Sequence, residues 1–151
     1  MELYIKFIRG RELNRVYIFM KRIVYVLGNP LITIDSLPFK LLPKLRQLCP
    51  QFHFEILDPT EELQLEEAQD FTCIDTVLGI DKVTVFHDLG FFAYSPRVTV
   101  HDYDLPLHLG LMQKLGKLKK ITIIGVPAKG NQAKILHEVI NSLYIHLNFK
   151  K

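Results

Sequence analysis

The side chains able to do chemistry in this 151-residue chain are scattered along it. Polar residues that directly follow apolar, strand-like runs are Asn29 and Asp35, then Asp58, then Asp75, and finally His101 with Asp102 and Asp104. Two carboxylates and one imidazole from this set would make donors for a divalent transition metal. Imidazole suits nickel and zinc, and the carboxylates complete the charge. Three protein donors leave coordination positions open for water or a substrate atom. Each residue also has a plainer reading. Asp58 reads better as a helix cap, Asp75 can end a strand and begin a turn, His101 can be a hydrogen-bonded rim histidine, and Asp35 can be a loop acid beside Ser36.

Other reactive side chains carry less. His87 and Asp88 precede Gly90 in what reads as an exposed turn. His108 falls in a helix after His101 and is expected at the surface, and His53, His137 and His146 are isolated on strand or helix faces. Cys49 precedes Pro50 at a helix end and Cys73 lies inside an apolar run. Neither has a base partner at motif spacing, so neither is read as a nucleophile. No Walker-type loop and no GxGxxG is present, and a lone Gly28 is no sign of nucleotide binding.

These candidates matter only if the elements between them bring them together. Residues 23–27 form a continuous β-branched and aromatic run, the mark of a strand covered on both faces. After a loop over residues 28–35, Ser36 is placed to cap a helix with Pro38 in its first turn. That helix points Leu37, Leu41, Leu45 and Leu48 inward, with Pro43 kinking or shortening it. Residues 52–57 alternate as a second strand. Asp58-Pro59-Thr60-Glu61 opens a helix that reaches to about Gln69. Residues 71–74 are a short buried strand ending in Asp75, and residues 83–86 and 98–100 are two more, the second closed by His101. A helix over about residues 104–115 places Leu105, Leu109 and Met112 on one face. Residues 121–126 are another continuous apolar strand, and a helix over about 131–147 carries Ile135, Val139, Leu143 and Leu147 on one stripe. Strands alternating with helices imply right-handed crossovers. The expected architecture is therefore α/β, a three-layer α/β/α sandwich with a mainly parallel sheet and room for one antiparallel edge. Ligands of such sheets bind beyond the carboxyl ends of the strands.

Length and composition set the frame. A chain of 151 residues, 48% hydrophobic and 23% charged, is one globular domain with a sizeable core. Residues 20–151 read as that domain. Residues 1–19 read as an N-terminal extension or an added edge strand, since Met20-Lys21-Arg22 looks like a natural beginning while residues 3–8 have strand composition. The formal charge of +3 is uneven: residues 1–22 carry a net +4, so the remainder carries −1. A nucleic-acid-binding face on the body is not indicated. Residues 16–27, the most apolar window, are broken by Lys21 and Arg22, and no membrane-spanning stretch or signal peptide is visible. With two cysteines, the chain is expected to be cytoplasmic with reduced thiols.

Three segments together resemble the hydrogenase maturation endopeptidases, the nickel-sensing proteases of [NiFe] hydrogenase assembly. Ile23-Val24-Tyr25-Val26-Leu27-Gly28-Asn29-Pro30-Leu31 resembles the family's opening strand and its Gly-Asn-x-Leu turn, and Asp35 falls on the second acid that follows. Phe71-Thr72-Cys73-Ile74-Asp75 resembles the strand ending in the second ligand. Val98-Thr99-Val100-His101-Asp102-Tyr103-Asp104-Leu105 resembles the segment with the histidine ligand, and Ile121-Thr122-Ile123-Ile124-Gly125-Val126 resembles the family's Gly-Val strand end. The likeness covers about residues 20–147. It departs from the pattern at three places. Ile34 stands where the family has its first acid, Ser36-Leu37-Pro38 stands for a glycine segment, and Asp58-Pro59-Thr60 stands for Asp-Gly-Gly.

The resemblance implies an endopeptidase that removes the C-terminal extension of a [NiFe] hydrogenase large-subunit precursor after metal insertion. Asp35, Asp75 and His101 would contact the nickel presented by that precursor and carry the catalysis. Gly28 and Asn29 would position the loop or an attacking water. It implies a monomer with no tightly held cofactor of its own. The missing glycines keep a second reading open, a non-catalytic relative that binds the metallated precursor or another partner. A third is an unrelated α/β protein whose strand-end acids are only caps.

Overall fold

A computed structural model describes residues 3–9, 14–20, 22–57, 69–93 and 105–147. Seven strands and four helices are found among them: β1 (Leu3–Arg9), β2 (Asn14–Met20), β3 (Arg22–Val26), α1 (Leu37–Leu48), β4 (Phe52–Ile56), β5 (Gln69–Val77), β6 (Thr84–Phe86), α2 (Gly90–Ala93), α3 (Leu105–Lys114), β7 (Leu118–Pro127) and α4 (Gln132–His146). A 3₁₀ turn over Thr33–Asp35 precedes α1.

The main sheet has five strands in the order β4-β3-β5-β7-β6. The first four are parallel, and β6 runs antiparallel along β7. The fold is α/β, and the one antiparallel edge is β6. The central strands are covered on both faces. Val24, Val26, Ile74, Ile124 and Val126 pack against Leu41 and Leu45 of α1 and Val139 and Leu143 of α4. Phe71, Cys73, Ile121 and Ile123 pack on the other face against Leu105, Leu109 and Met112 of α3. This explains why β5 and β7 carry apolar side chains on both faces: a strand with no wet face has no polar alternation.

The edges differ. On β4, Phe52 and Phe54 face inward while Glu55 and Ile56 are exposed. Its outer ladder meets α1 through Arg46, whose Nη2 donates to the Phe54 carbonyl at 3.0 Å. On the opposite edge, Glu138 of α4 accepts the Val83 N–H at 3.1 Å.

Several boundaries move from the sequence reading. Gln69, expected at a helix end, opens β5, and β5 runs on through Val77, so Asp75 sits inside the strand and does not end it. Register with β7 extends the strand: Asp75 pairs with Gly125 and Val77 with Pro127. Leu48 does not join the inward face of α1; it is 52% exposed, while Leu37, Leu41 and Leu45 are buried. Ser36 does not cap α1 with its side chain, because its backbone is already helical and its hydroxyl donates back to the Thr33 carbonyl at 3.0 Å. Pro43 is accommodated within α1 on an exposed position. The N-terminal segment forms a hairpin: β1 and β2 pair antiparallel from Leu3–Met20 to Arg9–Asn14 in a two-stranded sheet separate from the main one. The expected helix start at Asp58 and the strand at residues 98–100 lie outside the described residues.

Candidate functional site

The strand order places a topological switch between β3 and β5. The chain leaves β3 through α1 to the edge strand β4, then returns past β3 to β5. At such a switch, the loops after neighbouring strands diverge and leave a crevice at their carboxyl ends. Asp35 and Asp75 belong to this region.

Asp35 is brought in by the loop after β3. Gly28 follows the strand with φ of +143°, a conformation open essentially to glycine. A Cβ on Gly28 would lie 2.7 Å from the Asp35 carbonyl oxygen and 3.1 Å from the Phe39 ring. The loop then folds back on itself. Asn29 N–H donates to the Asp35 carbonyl at 3.2 Å, and the Asn29 side chain accepts the Leu31 N–H at 2.9 Å. So Gly28 and Asn29 shape the loop that carries Asp35. The Asn29 amide oxygen is engaged in the turn.

Asp75 is fixed from within β5. Its Oδ1 accepts the Thr76 N–H at 2.8 Å. The two aspartates are linked through main chain: Leu27, next to Gly28, donates its N–H to the Ile74 carbonyl at 2.9 Å. Two positions 40 residues apart in sequence thus share the carboxyl ends of adjacent strands.

Both carboxyl groups are out of water, with Asp35 0% and Asp75 1% exposed. Taking carboxylates out of water is costly unless they are engaged. Hydrocarbon closes the site on one side. Gly125, opposite Asp75 in β7, has its missing side chain replaced by Val77, Phe86 and Ile80, which come within 2.8–3.3 Å of a would-be Cβ. Asp75 also faces Cys73, two residues earlier on the same side of β5. Complete burial, with that carboxylate as the second cause, pushes the Cys73 thiol well up. Burial pushes the Cys49 thiol up to about 11. Both cysteines are buried free thiols, which fits their reading as non-nucleophiles.

His101, the third candidate donor, lies outside the described residues, as do Asp58, Asp102 and Asp104. Among the described residues no group of three His, Cys, Asp or Glu side chains is close enough to hold a metal ion. Beside the buried aspartates the loop tip is apolar and wet. Leu31 is 91% exposed, and Ile32 and Ile34 are also exposed.

The remaining histidines are less isolated than the sequence indicates. His108, expected at the surface, is half-buried on α3, with its Nε2 shielded from solvent. His87 and His146, 59 residues apart, meet with His87 Nε2 and His146 Nδ1 3.0 Å apart. Burial first, then His87 and Lys120, lower the His146 pKa. No local signal could have found this pair. It arises because α4 packs under the β6 edge, where Val83 and Val85 lie against the core formed with Val139 and Leu143.

Comparison with known proteins adds little. No family model matches the chain, and no curated protein matches it. Among solved structures, it is similar to the crystal structure of an uncharacterized protein from Wolinella succinogenes, at 15% identity over 85% of this chain and 93% of that one, with a TM-score of 0.45.

Proposed function

We propose that this chain is a relative of the hydrogenase maturation endopeptidases and acts on a nickel-loaded large-subunit precursor, with Asp35 and Asp75 as contacts to the presented metal and His101 as the third. The observation that supports this reading is that two buried aspartates lie toward the carboxyl ends of β3 and β5, beside the topological switch. In this reading the loop carrying Asp35 opens to expose the oxygen donors to a metal held by another protein, and that metal would polarise the scissile carbonyl. The exposed apolar tip formed by Leu31, Ile32 and Ile34 favours a protein over a small molecule as the substrate, because apolar groups left in water beside a site gain by being covered.

The test is direct. The protein is incubated with nickel-loaded precursor carrying its C-terminal extension, and the precursor's mass is followed. Loss of the extension with the wild-type protein, reduced at least 100-fold by Asp75→Asn, is the expected result. No cleavage, with wild type and Asp75→Ala behaving alike, rejects the enzymatic form.

A second reading, a non-catalytic relative that only binds the precursor, is favoured by one specific feature. Both carboxylates are fully buried, and α1 begins at Leu37-Pro38 where the resembled family keeps glycines. Glycines would allow close approach of a substrate backbone. Capture of the metallated precursor without cleavage identifies this form, and no binding to any precursor form removes both.

A further inference from the structure

The His87–His146 pair lies at the β6 edge of the sheet, apart from the β3–β5 switch that carries Asp35 and Asp75. β6 runs antiparallel to β7, so its end at Phe86 is level with Ile123, two residues nearer the amino end of β7 than the Gly125 position that faces Asp75. His87 follows Phe86 directly. His146 is the last residue of α4, which returns from the carboxyl end of β7. The pair therefore joins the sheet's antiparallel edge to the end of the C-terminal helix.

We infer that His87 Nε2 and His146 Nδ1 form a two-imidazole binding site for a divalent transition metal such as zinc or nickel. The spacing carries the inference. Imidazole nitrogens sit 2.0–2.1 Å from such an ion, so two of them at right angles around it are about 2.9 Å apart, and at tetrahedral angles about 3.4 Å apart. The observed 3.0 Å falls between these limits, close to the right-angle value. The rings are inclined by 47° with centroids 4.9 Å apart, so they approach through their nitrogen edges and are not stacked face to face. In the hydrogen-bonded pair one nitrogen donates and the other accepts. A metal ion takes the place of the shared proton and accepts both lone pairs; the donor ring exchanges its proton through solvent onto its other nitrogen, so both ligands are neutral imidazoles and no net proton is released.

The surroundings act in both directions. His146 ends α4, where the partial negative charge of the helix terminus favours a cation. Lys120 on β7 lies close enough to be felt by His146 and opposes one. Asp88, the residue after His87, has its Oδ1 accepting the Gly90 N–H at 2.8 Å and is held in its own turn. His87 is exposed, so solvent fills the remaining coordination positions. Such a site exchanges its metal readily and staples two elements far apart in sequence. It stands independently of the proposed protease reading.

The test uses the full chain titrated with Zn²⁺ and separately with Ni²⁺ by calorimetry. Nitrogen-detected NMR of the histidine rings reports which nitrogens coordinate. The expected result is saturable binding of one ion. His87→Asn and His146→Asn each weaken it at least tenfold, whereas His53→Asn and His137→Asn change it less than twofold. The Nε2 of His87 and the Nδ1 of His146 shift together on binding. Because His87 is exposed, His87→Asn tests the site without risk to folding. No saturable binding up to millimolar metal, or affinity unchanged in both histidine variants, overturns the inference. So does a loss of binding in His53→Asn or His137→Asn equal to that in the His87 and His146 variants.

Discussion

Replacing Gly28 by alanine should damage this protein well beyond the usual cost of a surface glycine. Two separate penalties meet there. The first is conformational: at φ of +143° a residue with a Cβ is strained by about 1–3 kcal/mol. The second is steric: the new methyl would sit 2.7 Å from the Asp35 carbonyl oxygen. That oxygen is backbone and accepts the Asn29 N–H at 3.2 Å, so moving it weakens a hydrogen bond of about 0.5–1.5 kcal/mol. Against these stands a gain of about 0.4–1 kcal/mol, because alanine restricts the unfolded chain. The terms sum to a loss of about 0.5–4 kcal/mol, centred on about 2, which lowers Tm by roughly 4–8 °C for a domain of this size. Gly79→Ala is the internal control. Its φ is +81°, but nothing lies within 4 Å of its would-be Cβ, so it pays the conformational part alone, about 1 kcal/mol. Urea unfolding of both variants, compared at equal m-value, reads the difference. If Gly28→Ala costs no more than Gly79→Ala, the close approach of Gly28 to the Asp35 backbone is wrong, and with it the account of how the loop places Asp35.

Three further outcomes follow from packing and chemistry. Leu45→Ala on the buried face of α1 should cost about 2–5 kcal/mol, while Leu48→Ala, on the face the structure turns to solvent, should stay within about 0.5 kcal/mol; chemical denaturation separates them. Asn131→Ala removes the side chain that accepts the Lys134 N–H at 3.0 Å at the start of α4 and should cost about 1 kcal/mol, whereas Ser36→Ala, whose hydroxyl caps nothing, should cost less by the same measurement. Cys49, with its thiol pushed up to about 11, should react with iodoacetamide at pH 8.5 roughly 150-fold more slowly than an ordinary thiol on ionisation alone. The sign is that of an acid whose neutral form is favoured by folding: the contribution to stability is complete below the unfolded thiol's pKa and is lost as pH rises through about 11, so alkaline unfolding should move to higher pH in Cys49→Ala when referred to its own neutral-pH stability. Alkylation of the folded protein at the ordinary rate refutes the burial of that thiol.

Much of the architecture was written in local pattern. The mostly apolar, β-branched run of residues 121–126 reads as a short strand covered on both faces, because an open strand alternates polar and apolar side chains. The stripe Ile135, Val139, Leu143 and Leu147 fixed both the helix and the face it buries, and all four are buried. The glycine at 28 was legible as a strand-end feature, since strand-to-loop punctuation is local chemistry.

Tertiary structure decided what depends on partners far along the chain. The extension of β5 to Val77, which moves Asp75 from a strand end to its interior, comes from hydrogen bonding to β7, and nothing in residues 75–77 alone could signal it. The exposure of Leu48 follows from where α1 meets the sheet, although its helical spacing from Leu41 and Leu45 looks like core. The pairing of residues 3–9 with 14–20 in a sheet of their own is likewise a choice among strand edges that composition leaves open. Burial of Asp35 and the meeting of His87 with His146 belong to the same class. Side-chain burial and pairing are properties of packed surfaces, and a sequence records those surfaces only through the contacts that close them.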